Sequence, residues 1–253
     1  MSSYAILGAT GQTGQALFTQ LTSSKENSLH LFARSKTKLL EQNPSLSSPP
    51  PNIKLFIGGL SDTSLLTSCI RDVEVVFCVV ATNNSTPGCH IAQDSAKAVL
   101  SAMSELRSTG SEVSLPRLVI LSAAPVSFVL KKSIPSPVSW MLWRALGHLY
   151  RDLEAAEAQM KRERSWLRAT FVYPGGLSNV GDDRVLGHKV TTEDAGSGFM
   201  SYGDLAAGMI EIADERTGKY DWVDVSVIPT TKGTKVAYGA VVRMLFGSIL
   251  FKN

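Results

Sequence analysis

Gly8-Ala9-Thr10-Gly11-Gln12-Thr13-Gly14 is the stretch on which the reading of this chain turns. The apolar run Tyr4-Ala5-Ile6-Leu7 precedes it, and Gln15 to Leu21 follows with apolar residues at helical spacing. The order is therefore strand, glycine turn, helix. In such a turn the first Gly takes a backbone angle that a β-carbon forbids. The second admits a pyrophosphate to the main chain, and the third lets helix pack on strand. The amides opening the helix then face phosphate oxygens. Gly8, Thr10, Gly11, Gln12, Thr13 and Gly14 are candidate nucleotide contacts on this reading. Glycines so spaced also make ordinary tight turns, and it is their place directly after an apolar strand that favours a nucleotide.

Outward from the turn, Leu29-His30-Leu31-Phe32-Ala33 reads as a second strand that ends at Arg34-Ser35, about twenty residues on. An Asp or Glu there would accept from the ribose 2′-hydroxyl of NAD, whereas Arg presents a planar cation to the 2′-phosphate of NADP. Arg34, Ser35, Lys36 and Lys38 cluster with no acid before Glu41. That pattern selects NADP(H) over NAD(H), the alternative being solvated charges that merely open a helix.

A chain of 253 residues can bury a full core as one domain, so 1–253 is expected to be a single unit. The formal charge of +3 is scattered and shows no basic stripe, which argues against a nucleic-acid partner. Cys69, Cys78 and Cys89 are odd in number and lack Cys-x-x-Cys spacing, as expected of free thiols and not of a disulfide or zinc framework. Cys89 and His90 lack two further ligands at workable spacing, so no metal is expected. The first strand starts too early to leave room for a leader, and no uncharged run would span a bilayer. A reducing, cytoplasmic location is the expectation.

Along the rest of the chain, residues 43–52 form a proline- and serine-rich surface loop, and Ile53 to Ile57 is a third strand. Gly58-Gly59-Leu60-Ser61-Asp62 leads into a helix with Ser61 or Asp62 as N-cap. The apolar run Val73 to Val80 suits a central parallel strand covered on both faces, and ends at Ala81-Thr82-Asn83-Asn84, where the cofactor's ribose and nicotinamide would lie. Ile91 to Leu106 is an amphipathic helix, and Arg117 to Leu121 a fifth strand ending at Ser122. Two helices, Trp140 to Leu149 and Leu153 to Met160, are expected to join around His148-Leu149-Tyr150-Arg151-Asp152. Trp166 to Tyr173 is a sixth strand closed by Pro174-Gly175-Gly176, and Trp222 to Ile228 a late one. Residues 125–150 and 178–253 are assigned to the substrate side, with 182–198 as a lid that holds His188. His30 reads as exposed or at the core edge. The apolar tail, 236–251, suits core packing or a homodimer contact. The fold class is α/β, a doubly wound parallel sheet with helices on both faces and a small C-terminal substrate-side region.

Gly8-x-x-Gly11-x-x-Gly14, Arg34, Gly59-Leu60-Ser61-Asp62, Leu118 to Ser122 and Phe171-Val172-Tyr173-Pro174-Gly175-Gly176-Leu177 together resemble the atypical short-chain dehydrogenase/reductase superfamily in its NmrA-like, NAD(P)H-binding branch. More narrowly, Pro87 to Asp94, His148 to Leu153 and Ser201 to Ala207 are similar to fungal averufin oxidase A-like proteins found beside polyketide-synthesis enzymes. The resemblance implies a Rossmann domain, bound NADP(H) and an aromatic polyketide or similar apolar substrate. It carries cofactor contacts to Gly59, Leu60, Ala81, Thr82, Asn83 and Pro174.

Two positions depart from the family. Gly59 stands where an Asp often meets the adenine amine, leaving backbone groups or Asp62 to substitute. No Tyr has Lys four residues later, so the usual pair, in which an ammonium lowers a Tyr pKa for proton donation, is missing. Tyr150 is followed at that spacing by Glu154. Near the expected place stand His148, Tyr150 and Asp152. Residues four apart share a helix face, so Asp152 is expected to orient His148 as acid or base, with Ser122 holding the substrate oxygen. The leading reading is an NADPH-dependent oxidoreductase. The alternatives are a non-redox isomerase, dehydratase or cyclase using the His-Asp pair, and an NmrA-like regulator that binds dinucleotide without turnover.

Overall fold

The apolar runs become strands and the amphipathic segments cross between them. The computed structural model describes residues 2–82, 84–109, 114–178, 184–196 and 199–230, so Asn83 and the apolar tail lie outside the described residues. β1 (Ser3–Leu7) leads through the glycine turn into α1 (Gln12–Leu21). Then come β2 (Ser28–Ala33), α2 (Lys36–Gln42), β3 (Ile53–Ile57), α3 (Thr63–Ile70) and β4 (Val75–Cys78). α4 (Ile91–Ser108), β5 (Arg117–Leu121), α5 (Ser136–Arg162) and β6 (Ala169–Val172) follow. Short β7 (Gly176–Leu177), β8 (His188–Thr191), β9 (Phe199–Met200), α6 (Tyr202–Asp214) and β10 (Asp224–Pro229) complete the described chain.

Among the described residues the main sheet has eight strands in the order β3-β2-β1-β4-β5-β6-β10-β8, while β7 and β9 pair separately. The pairings from β3 to β10 are parallel, and β8 closes the edge antiparallel. Strand order reverses between β1 and β4. At such a switch point the two neighbouring crossovers leave in opposite directions and open a crevice at the strands' carboxyl ends.

Alternate residues of each central strand enter opposite layers. Tyr4 and Ile6 pack with Leu17 of α1 and Met209 of α6, whereas Ala5 and Leu7 pack with Ile70, Val99 and Met103. Burial on both faces explains why these strands are apolar without alternation. Each fully buried Leu, Ile or Phe contributes about 1.5–3 kcal/mol, so both layers are needed to hold the sheet.

Several expectations are corrected. The two helices expected at 140–160 are one, α5, with its kink at Leu146 (φ −117°, ψ 15°) beside Gly147 rather than at 148–152. Trp166 and Trp222 lie in turns before β6 and β10, the indole N–H of Trp166 satisfied locally by Glu163 and that of Trp222 by the Leu167 carbonyl across the fold. His30 is buried, its Nδ1 donating to the Cys69 carbonyl at 2.6 Å. Within the expected lid, His188–Thr191 joins the main sheet instead of folding apart from it. Asp204, fully buried, fixes that segment by accepting from the Leu186 and Gly187 amides.

Candidate functional site: the crevice at the glycine turn

The glycine turn is shaped by what a side chain would strike. Gly8 has φ +99°, and a β-carbon there would stand 3.0 Å from the Val79 carbonyl. At Gly14 a β-carbon would run into the Gly8 carbonyl oxygen, with Ala9 Cα only 3.0 Å away. The third glycine thus lets α1 approach the turn itself rather than the strand. Gly11 has extended backbone angles and caps α1 without any side-chain hydrogen bond, and the first turn of α1 holds no acid. Its positive end therefore meets no acidic or capping side chain of its own helix start.

Residues outside the glycine pattern brace this turn. Gln15 donates to the Ala9 carbonyl, Asn43 Nδ2 to Gln15 Oε1 at 2.9 Å, and Gln42 to the Thr10 carbonyl at 3.3 Å. Gln42 and Asn43 were not legible in the sequence because the end of α2 lies about thirty residues from the turn. Arg34, Ser35, Lys36 and Lys38 are exposed beyond β2, and Ser35 Oγ caps α2 by accepting from Lys38 N at 3.2 Å. Gly59 and Leu60 are half-buried beyond β3. Asp62 uses Oδ1 to cap α3 through Leu65 N at 3.0 Å, which makes it the N-cap. Thr82 is half-buried beyond β4, Ala81 is exposed beside it, and Pro174 is buried where its carbonyl accepts from Ala124 N. These segments all leave carboxyl ends of β1 to β6. An open cavity of about 690 Å³, lined by Tyr4, Gln20, Asp214 and Arg216 among others, lies at the opposite ends of the strands.

The expected His148–Asp152 pair is not what the structure builds. Asp152 is 2 % exposed, and its carboxylate accepts from Ala92 N at 2.8 Å, Gln93 N at 3.1 Å and Gln93 Nε2 at 3.0 Å, with Cys89 Sγ at 3.6 Å. It is the cap of α4, supplied from α5. Helix-start amides concentrate partial positive charge, so a buried carboxylate turns to them. His148 is half-buried on α5. Tyr150 is buried edge-on against Trp143, and desolvation pushes its phenol upward, opposite to what proton donation requires.

Ser122 is held at the carboxyl end of β5, its N–H on the Val172 carbonyl and its Oγ donating to Glu157 Oε1 at 2.6 Å. Glu157 also accepts from Tyr173 OH at 2.8 Å and Lys161 Nζ at 3.0 Å. Sequence reasoning assigned Glu157 no role, although a Glu between alanines on a half-buried helix, followed by Lys four residues later, was there to be weighed. Burial, followed by the charges of Glu157 and Asp224, raises the Tyr173 phenol far above its ordinary range.

The description of the family model that matches residues 8–216 is NAD(P)H-binding. Oxidoreductase stcQ of Emericella nidulans is 42 % identical over 92 % of this chain and 84 % of its own. Oxidoreductase aflX of Aspergillus parasiticus is 41 % identical over 98 % of this chain and 91 % of its own. A short-chain dehydrogenase/reductase of Veillonella parvula, solved in complex with NADP, superposes with a TM-score of 0.68 over 90 % of this chain and 95 % of that one. At 18 % identity it speaks to the fold alone.

Proposed function

The chain belongs to the NAD(P)H-binding family, and from that premise we propose that it is an NADP(H)-dependent oxidoreductase acting on an aromatic polyketide-like intermediate of fungal secondary metabolism. The observation that carries the cofactor reading is the start of α1. It has no side-chain cap and no acid, and it sits under glycines whose β-carbons would collide with the turn. The donor set fits a dinucleotide: amides for the pyrophosphate, and Arg34 with Lys38 for a 2′-phosphate. When bound, NADP(H) would exchange hydride with a substrate carbon.

The chain's own residues orient the substrate oxygen and handle its proton, and Ser122 is the hydroxyl we assign to that oxygen. The names of the fungal relatives support an oxidoreductase, and the resemblance in motif supports the aromatic substrate. With Asp152 committed to α4, the non-redox reading loses the pair it rested on. The test is incubation of the protein with NADPH and a panel of planar, hydroxylated polycyclic aromatic ketones. Stoichiometric NADPH oxidation with one reduced product supports the proposal. Product formed without NADPH consumption, or NADPH binding with no turnover on any member, contradicts it.

A further inference from the structure

Ser122, Glu157, Lys161 and Tyr173 meet where the carboxyl ends of β5 and β6 face α5. One carboxylate gathers three donors: Ser122 on Oε1, and Tyr173 with Lys161 on Oε2. Ser122 is 7 % exposed and Glu157 6 %, whereas the Lys161 side chain is 46 % exposed. A buried carboxylate is costly unless its lone pairs are met, and here they are. Of the three donors, Ser122 stands at the carboxyl end of β5, the end at which the crevice opens, and Lys161 reaches solvent.

We propose that Glu157 is the residue that holds the transferred proton, exchanging it with the substrate oxygen through Ser122 Oγ and with water through Lys161. The inference rests on the oxidoreductase reading above. In the oxidising direction the substrate hydroxyl gives its proton to Ser122 Oγ while the Ser122 proton passes to Glu157 Oε1. The substrate C–O bond would become C=O as its carbon loses a hydride, a hydrogen with its bonding pair, for which bound NADP⁺ would be the acceptor. A half-turn of the carboxyl group about Cγ–Cδ then presents the proton to Lys161 Nζ, which has released one of its own to water. In the reducing direction the same proton travels from water to the carbonyl oxygen.

Tyr173 does not donate the proton. Burial and the charges of Glu157 and Asp224 hold its phenol protonated, so it serves as a donor to whichever carboxyl oxygen stands beside Lys161, Oε2 in this structure. Asp224 faces Tyr173 from β10 and is itself held by Ser127 Oγ at 2.6 Å, and Lys161 lies over the Phe171 ring. Lys161, Tyr173 and Asp224 are thus the ionisable groups facing this centre from α5, β6 and β10. Glu157-x-x-x-Lys161 supplies at one helix face the coupled anion and cation that the missing Tyr-x-x-x-Lys pair would have supplied.

The test has two arms. In the first, the carboxyl stretching bands of Glu157 are assigned in the infrared by their loss in Glu157→Gln and followed in time after transfer of the folded protein to D2O. The proposal expects the bands to shift as the protons on the carboxylate exchange with solvent, and that exchange to slow in Lys161→Met, because the route to water runs through Lys161. No exchange, or exchange that ignores Lys161→Met, overturns it. In the second arm, NADPH oxidation is followed with 9,10-phenanthrenequinone as probe. Glu157→Gln and Ser122→Ala are each expected to lower kcat about 10²–10³-fold with NADPH affinity and KM little changed. Should Glu157→Gln fail to fold, Ser122→Ala carries this arm, since it leaves the carboxylate with Tyr173 and Lys161. A wild-type protein that binds no NADPH defeats the oxidoreductase reading. Full-rate oxidation by Glu157→Gln defeats the proton relay alone.

Discussion

The N-termini of α1 and α4 open toward the same end of the sheet, yet they are treated in opposite ways. At α4 the chain supplies its own anion: Asp152, reaching across from α5, accepts from the Ala92 and Gln93 amides and leaves nothing for a ligand. At α1 the cap is Gly11, with no side-chain acceptor and no acid in the first turn. Of two helix starts with equal intrinsic appetite for negative charge, one is thus filled by the chain's own carboxylate and the other is not. Ser35 caps α2, Asp62 caps α3 and Ser201 caps α6, whereas α5, which also has no side-chain cap and no acid in its first turn, opens with a proline that removes one of its free amides.

The most forceful way to break the contrast is to make α1 resemble α4. Gly11→Asp places a carboxylate at an N-cap whose extended backbone tolerates it, although its β-carbon would sit a tight 3.3 Å from the Gly8 carbonyl oxygen. NADPH affinity is expected to fall about 100-fold, or about 2.7 kcal/mol, by calorimetry, while the thermal midpoint holds or rises. The converse, Asp152→Ala, empties the filled site. Denaturant unfolding should show a loss of about 2–4 kcal/mol, because two half-buried amides lose a charged acceptor. NADPH affinity should change by less than about threefold.

Arg34→Asp sharpens the ligand side of the comparison. A lost charge-assisted contact to phosphate predicts an affinity loss of about 10–100-fold for NADPH and little for NADH. The smallest effect lies at the opposite helix pole, where the buried His30 Nδ1 donates to the Cys69 carbonyl in the last turn of α3. Burial lowers the His30 pKa from 6.5, so the unfolded chain takes up a proton that the folded one refuses. Stability is full above about pH 6.5 and falls as pH drops below it, by at most about 1.4 kcal/mol per pH unit. His30→Gln should flatten that slope in unfolding curves measured on either side of pH 6.5.

Local pattern made much of this architecture legible. Strand, glycine turn and helix at residues 3–21 follow from neighbours within a few positions, and the apolar runs of β1, β4 and β5 announce burial on both faces. The site was legible only where its chemistry is local. Asp152 and His148 do share a helix spacing, but the amides of α4, some sixty residues earlier, are the stronger claim on a carboxylate. Glu157 was missed for the same reason: a Glu among alanines with Lys161 four residues on is a local pattern, but it fits a solvated ion pair as well as a buried Glu. Its meaning comes from Ser122 and Tyr173, which only the parallel crossover β5-α5-β6 brings to it. Arg117 likewise reads as a strand's first residue, whereas its buried guanidinium closes the C-terminal end of α6 on the carbonyls of Ile212, Ala213 and Glu215.

The most direct measurement is calorimetric titration of the wild-type protein with NADPH and with NADH. The reserved start of α1 and the exposed cations after β2 predict one site that binds both, with NADPH tighter by about tenfold or more. Equal affinity for the two would remove the role given to Arg34, and no binding of either would contradict the claim that α1 keeps its positive end for a dinucleotide.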